Sequence, residues 1–316
     1  MKAWLFTGID QPLELIERDD PVPGPGQVVV AVHAAGLCHS DCGFIDGTLT
    51  WMLPGLPMIL GHEVAGRIVA MGEGVDGFAL GDRVVLSGPE NFAAGWSVDG
   101  GYATRCLAMA SGLVRLPDAV SFAQGAAATD AGMTAWCAVM GAGQCAAGMK
   151  VGIVGLGGLG MTGARIAVVN GAEVYGAEPR REVWDKALAQ GVREVVEEAK
   201  DLARFGCDLI VDFAGFGTTT AGAIHAVKPF GTVVQVGLGK TEATINTAEL
   251  TGKAVTLRGA RGGMVPGATE AVIAHMAKGE LEIEAATIPF EEIPAGLERL
   301  KRGGVVGRLV AVPVPE

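Results

Sequence analysis

Val151-Gly-Ile-Val154 runs directly into Gly155-Leu156-Gly157-Gly158-Leu159-Gly160, an apolar stretch followed by glycines in the spacing G-x-G-x-x-G. In a chain where 49 of 316 residues are glycine, that spacing alone says little. Here it follows a strand-like run and opens a helix-like one, and in that context it reads as a dinucleotide-binding turn. The first glycine permits the tight turn and the second lets the backbone approach a pyrophosphate. The third lets helix and strand pack closely, and the helix N-terminus adds partial positive charge. Glu178 stands at the end of the next apolar run, Glu173–Ala177. An acid there can accept hydrogen bonds from the ribose hydroxyls of NAD and repel a 2′-phosphate. Arg180 and Arg181 follow immediately, and such a pair is also how a site could hold NADP. NAD is the expected cofactor, with NADP as the alternative.

Outward from this turn the chain alternates strand and helix. Strands are expected at Asp208–Phe213, Thr232–Val236 and Ala254–Leu257. Helices are expected from the glycine turn to Asn170, through Gln190, and from Thr218 until Pro229 stops it. Such alternation means crossover units and a parallel sheet covered on both faces. The Ala-rich stretch Ser121–Met140 reads as one helix, capped by Ser121 and stopped at Gly141 and Gly143. The first 120 residues are different: β-branched runs at Val28–His33, Val64–Val69, Arg83–Leu86 and Tyr102–Ala108 are separated by Pro/Gly punctuation. Pro266–Lys278 and Pro294–Arg302 read as helices and Val305–Val312 as a closing strand, a tail able to rejoin the first part. The expected fold class is α/β, with domains over 1–122 and 123–260 and a C-terminal return over 261–316.

Composition narrows the function. Apolar residues make up 49% of the chain, enough for a large core, so disorder is excluded. The net charge of −11 and the lack of any Lys/Arg cluster argue against nucleic acid or an anionic membrane as partner. Met1–Asp10 holds no hydrophobic core of signal-peptide length, and the apolar stretch Val151–Val169 is broken by glycines and Arg165. Six scattered cysteines (Cys38, Cys42, Cys106, Cys137, Cys145 and Cys207) do not make a disulfide framework, so a reduced, cytoplasmic protein is expected.

A second signal lies upstream, in Gly36-Leu-Cys38-His39-Ser40-Asp41 and Gly61-His62-Glu63-Val-Ala-Gly66. A thiolate and a neutral imidazole are good zinc ligands, and a catalytic zinc takes three protein ligands and leaves one position open. With Gly81-Asp-Arg-Val84, Gly100-Gly-Tyr-Ala103 and the glycine turn, these motifs occur in the order found in the zinc-dependent alcohol dehydrogenases of the medium-chain dehydrogenase/reductase superfamily, which the whole chain resembles. The resemblance implies a GroES-like, β-rich catalytic domain and a Rossmann domain with a doubly wound parallel sheet, the active site lying in the cleft between them. It implies Cys38 and His62 as zinc ligands and Ser40 as the group that contacts the substrate oxygen and takes part in proton transfer. Asp41 would orient His62, Glu63 would be a carboxylate able to approach the metal, and His39 would lie near the pyrophosphate. Thr134, Phe213, Ala214, Val236, Leu238 and Arg308 would line the rest of the cofactor groove.

The chain departs from the family pattern in three places. Where the family carries its third ligand in Cys-x-Gly-x-Thr, this sequence has Asp130-Ala-Gly132-Met-Thr134. A carboxylate is a legitimate zinc ligand and preserves the site's formal charge, though it donates less electron density than a thiolate. The alternative is that Asp130 caps a helix or pairs with a base and that the metal is lost. No cysteine lies between Gly43 and Arg105, so the structural-zinc lobe is missing and one zinc per subunit is expected. Gly43 stands where some members place a relay histidine, so the proton would leave by the ribose hydroxyl and water or by another route. The expected reaction converts an alcohol, primary or secondary, to an aldehyde or ketone. A zinc-independent quinone or enone reductase and a catalytically decayed NAD(H)-binding protein are the competing readings. Leu49, Trp51 and Met52 would wall a substrate channel or pack as core, and Gly88 would open the pocket to bulky alcohols. A homodimer joined along Ala254–Gly262 is expected.

Overall fold

Gln27–Leu37 is an eleven-residue strand, buried from Val28 onward, and its near-continuous apolar sequence fits a strand covered on both faces. It is the spine of the first of two units into which the chain divides, comprising Met1–Asp130, Thr269–Ala277 and the stretch from Ile283. The second unit comprises Ala131–Ala268 and Lys278–Glu282. The computed structural model describes residues 1–88 and 90–313.

In the first unit, Gln27–Leu37 pairs antiparallel with Glu63–Met71 on one side and with Arg308–Val312 on the other. The registers set Gly36 opposite Glu63 and Leu37 opposite Leu309. One end of the spine therefore brings together Cys38, which follows it, Glu63, which starts one neighbour, and Arg308, which starts the other. Arg83–Leu86, Leu113–Arg115, Arg105–Met109 and Ala285–Pro289 complete this sheet. The strand expected from Tyr102 begins only at Arg105, because the backbone of Tyr102 is already bonded to Leu60 and Trp4.

The second unit holds six parallel strands in the order Glu194–Val196, Glu173–Ala177, Lys150–Val154, Leu209–Asp212, Thr232–Gln235, Thr256–Gly259. This is the doubly wound order 3-2-1-4-5-6, with its switch point beside Lys150–Val154. The last strand begins two residues later than expected, because Ala254 takes a left-handed φ of +51° in the turn after helix Thr247–Gly252. The expected single helix Ser121–Met140 is four pieces: α-helix Phe122–Ala127, π-helical Ala128–Gly132, α-helix Met133–Trp136 and π-helical Cys137–Ala142. Ser121 caps it as expected, accepting from Gln124 N. The wide turn at Ala128–Gly132 re-aims side chains relative to a regular helix, and such bulges recur at functional sites; Asp130 lies inside it.

Asp208 ties three strands of the second unit together. Its Oδ2 accepts from Lys150 N at 2.7 Å, its backbone bonds Lys150 and Thr232, and its carboxylate pairs with Lys228. Burial opposes the charged form, but the bonds from Lys228 and Lys150 more than offset it and hold the carboxyl below its ordinary value. A depressed folded pKa means stabilisation that is complete well above pH 4 and is lost as pH falls through the folded value. Asp208→Ala should therefore cost about 1–2 kcal/mol in urea unfolding at pH 7, and the difference from the parent should shrink as pH drops below about 4. A pH-independent difference would contradict this account.

Candidate metal centre and dinucleotide loop

Four potential ligand atoms of the first unit, from Cys38, His62, Glu63 and Asp130, lie within 4.8 Å of one another. Cys38 N-caps the helix His39–Ile45, and Asp41 in that helix's first turn accepts from Cys38 N at 3.0 Å. His62 and Glu63 come from the neighbouring strand, and the π-helical turn delivers Asp130. Cys38 Sγ lies 3.4 Å from Asp130 Oδ2, and His62 Nε2 lies 3.9 Å from the same oxygen. The other imidazole nitrogen, Nδ1, faces Asp41 Oδ1 at 3.4 Å.

Both ring nitrogens of His62 are buried without a hydrogen-bond partner. Two orphaned nitrogens in a side chain wedged against Trp96, whose ring centroid is 5.3 Å away, would be costly if nothing ever satisfied them. A thiol, an imidazole and carboxylate oxygens are the donor set of a zinc-type ion, so these residues fit a divalent metal. Burial alone would lower the His62 pKa, but the facing Asp41 and Cys38 reverse that and carry it well above the ordinary histidine value.

Arg308, expected along the cofactor groove, enters this cluster from the start of its strand and is only 4% exposed. Its Nη2 donates to a Glu63 oxygen and, at 2.6 Å, to Asp130 Oδ2. A buried guanidinium must be paired, and the register places these two carboxylates within its reach. One cation shared by two acids leaves them in excess. Burial raises the Glu63 pKa, Arg308 opposes the rise and Asp130 adds to it, for a result of about 7. The Arg308 guanidinium is held firmly charged, burial being outweighed by Glu63, Cys38 and Asp130.

The remaining predicted residues of this unit divide. Ser40 Oγ lies 3.7 Å from Cys38 Sγ, and His39 is exposed beside it. A side chain at Gly43 would meet Leu49 Cδ1 at 2.8 Å, so Leu49 fills the space a relay histidine would need and packs against the core. Trp51 is 78% exposed and Met52 is also exposed, so neither is core. A Cβ at Gly88 would lie 2.8 Å from Phe92 O, so the position admits glycine more readily than a bulky residue.

In the second unit the glycine turn has the geometry its spacing predicts. Gly155 has φ +80°, and a Cβ at Gly160 would lie 1.7 Å from Gly155 O. Gly157 and Gly158 start the helix Gly158–Val169, with Leu159 in its first turn. The nearest atom to a Cβ on Gly157 is Arg180 Nη2 at 3.9 Å, so the backbone there is open. Glu178 is 3% exposed, and its carboxylate accepts from Leu156 N, Arg180 N and the Arg180 guanidinium, while Arg181 turns to Glu197. Glu178 thus holds the glycine turn in place. Phe213 and Ala214 follow the strand Leu209–Asp212, and Val236 and Leu238 follow the next, with Leu238 largely exposed. Thr134 is buried, its hydroxyl 2.8 Å from where a Cβ on Gly262 would stand.

Asp212 escaped the sequence reading. Buried at the end of its strand, it accepts from Ala214 N, Gly215 N and the hydroxyls of Thr219 and Thr220, which fixes the Phe213–Gly215 loop. A lone acid closing an apolar strand was the available signal.

Comparison with known proteins gives a consistent result. Residues 24–118 match the family model of the alcohol dehydrogenase GroES-like domain, and residues 158–278 match that of the zinc-binding dehydrogenases. An alcohol dehydrogenase of Geobacillus stearothermophilus is 31% identical over 98% of this chain and 99% of its own length. The crystal structure of the alcohol dehydrogenase from Aeropyrum pernix superposes with a TM-score of 0.91 at 27% identity, covering 99% of this chain and all of that one. Acetophenone reductase from Geotrichum candidum, solved in complex with NAD, gives 0.88 at 28% identity over 99% of this chain and 97% of that one.

Gly36 has no side chain because Glu63 needs the space: a Cβ there would lie 2.2 Å from Glu63 Oε2 and 2.8 Å from Glu63 Cβ. Gly36→Ala must push Glu63 off Arg308 and should lower stability by about 3 kcal/mol or prevent folding. A loss under about 0.5 kcal/mol in chemical denaturation, the range of neutral substitutions, would contradict the assigned packing.

Proposed function

Because the chain belongs to the zinc-type alcohol dehydrogenases of the medium-chain dehydrogenase/reductase superfamily, we propose that it interconverts an alcohol and its aldehyde or ketone, with NAD as hydride carrier and a single zinc held by Cys38, His62 and Asp130. The observation that carries the reading is the convergence of these donors with Glu63 inside 4.8 Å. When bound, zinc supplies a Lewis acid that lowers the pKa of the substrate hydroxyl, and NAD supplies the carbon that accepts hydride.

The chain's own residues do the rest. Asp41 faces His62 Nδ1 and leaves Nε2 toward Asp130, so the imidazole presents one nitrogen as a ligand. Arg308 engages both Glu63 and Asp130, and its guanidinium balances the acids that stand beside Cys38 and His62. Ser40 Oγ accepts the substrate's proton as it gives up its own, and with Leu49 filling the space beside Gly43 that proton passes to solvent without a side-chain relay there. Glu178 fixes the glycine turn through Leu156 N, and Gly157 leaves the backbone open to a pyrophosphate.

The same reading puts one zinc in each subunit and the protein in the cytoplasm. All six cysteines are free and buried, and among the described residues no helix is long and apolar enough to cross a membrane. The exposed edge strand Thr256–Gly259 would join two subunits into a dimer.

Metal analysis with steady-state kinetics tests the proposal. Purified protein should carry about one zinc per chain, chelation should abolish alcohol oxidation and added zinc should restore it. Asp130→Ala should lose the metal and at least about 100-fold in kcat/KM, while Asp130→Cys should retain both. Activity that survives chelation and Cys38→Ala would identify a metal-independent reductase instead. NAD should be preferred over NADP by about tenfold or more in kcat/KM, with Glu178→Ala erasing the preference; equal use of both by the parent would overturn the cofactor assignment.

A further inference from the structure

Tyr102 is fully buried in the first unit, and its hydroxyl donates to Asp41 Oδ2 at 2.7 Å. Asp41, also fully buried, receives Cys38 N on the same oxygen and turns Oδ1 toward His62 Nδ1. The ring is held by the segment that carries His62. Tyr102 N donates to Leu60 O and Gly101 N to Gly61 O, and a Cβ at Gly61, whose φ is +92°, would lie 2.5 Å from Tyr102 Cδ1. A phenylalanine would fill the same space without a hydroxyl to desolvate, so packing does not account for the tyrosine. We propose that Tyr102 is a positioning residue for the metal centre: by fixing the Asp41 carboxylate it holds His62 with Nε2 presented as a ligand.

This rests on the metal-centre reading above and adds a residue to it. A carboxylate that orients a ligating histidine works only while it is itself oriented. Cys38 N alone restrains one oxygen of Asp41. The Tyr102 hydroxyl supplies a second restraint from across the core, so that Oδ1 stays directed at the ring. Tyr102 acts through Asp41, the acceptor of its hydroxyl.

Cobalt(II) titration of the metal-free protein tests this without turnover, read by the thiolate-to-cobalt and ligand-field absorption bands. The parent, Tyr102→Phe, Asp41→Asn, the double variant and Phe6→Leu, a loosening of the same core at an apolar side chain, are compared. Tyr102→Phe should weaken cobalt binding by about tenfold or more and shift the ligand-field bands, and the double variant should bind no more weakly than Asp41→Asn alone. Phe6→Leu should lower the melting temperature with cobalt affinity unchanged. If Asp41→Asn does not fold, a larger affinity loss in Tyr102→Phe than in Phe6→Leu still supports the proposal. Tyr102→Phe affinity within about twofold of the parent, or a loss that adds fully to that of Asp41→Asn, would overturn it. A parent that takes up no cobalt would instead overturn the metal-centre reading, and this proposal with it.

Discussion

A guanidinium cannot be taken out of water unless carboxylates meet it, and in this protein that requirement organises one end of the β-rich unit. Arg308 is buried against Glu63 and Asp130. Removing Arg308 would leave the buried Glu63 carboxylate facing Asp130 without its cation, at a cost of about 3–5 kcal/mol. The contact joins two residues of the Met1–Asp130 stretch to one of the stretch from Ile283: a strand start, a π-helical turn and the closing strand. It holds only while Gln27–Leu37 keeps its register with both neighbours, since a slip of one residue would turn Glu63 and Arg308 to opposite faces. The charge cluster and the metal ligands thus share one scaffold.

That sharing bears on the choice of Asp130. A cysteine in its place would offer the metal a sulfur and Arg308 a poor partner. The carboxylate meets both through one oxygen, since the Oδ2 that accepts from Arg308 is also the atom that faces Cys38 and His62. Its position inside a wide helical turn is consistent with the need to aim a short side chain at two targets. In the proposed site two anions and a neutral imidazole keep the formal charge of the family's usual set, while an oxygen donor leaves the metal a harder Lewis acid.

Much of this was legible in the sequence wherever local chemistry dictates structure. The parallel strands of the nucleotide unit announced themselves as short apolar runs between glycines, and Glu173–Ala177 fell on the expected residues. Motif order singles out Cys38 and His62, the distance to the glycine turn singles out Asp130, and the structure brings the three side chains together. What was not legible depends on tertiary context. Composition could not distinguish a regular helix over Ser121–Met140 from one broken by two wide turns. Arg308 lies in an apolar strand whose partner acids are far away in sequence, so nothing nearby signalled that it would be buried between them. Tyr102 looked like the start of a strand, because its tie to Leu60 and its contact with Asp41 are both long-range.

The central claim is that sulfur, imidazole nitrogen and carboxylate oxygen together bind one zinc ion. The zinc K-edge absorption spectrum of the zinc-loaded protein tests it most directly. The account predicts a single sulfur scatterer at about 2.3 Å with the remaining first-shell atoms nitrogen or oxygen at about 2.0–2.2 Å. A shell with no sulfur, or one made of several sulfurs, would contradict it.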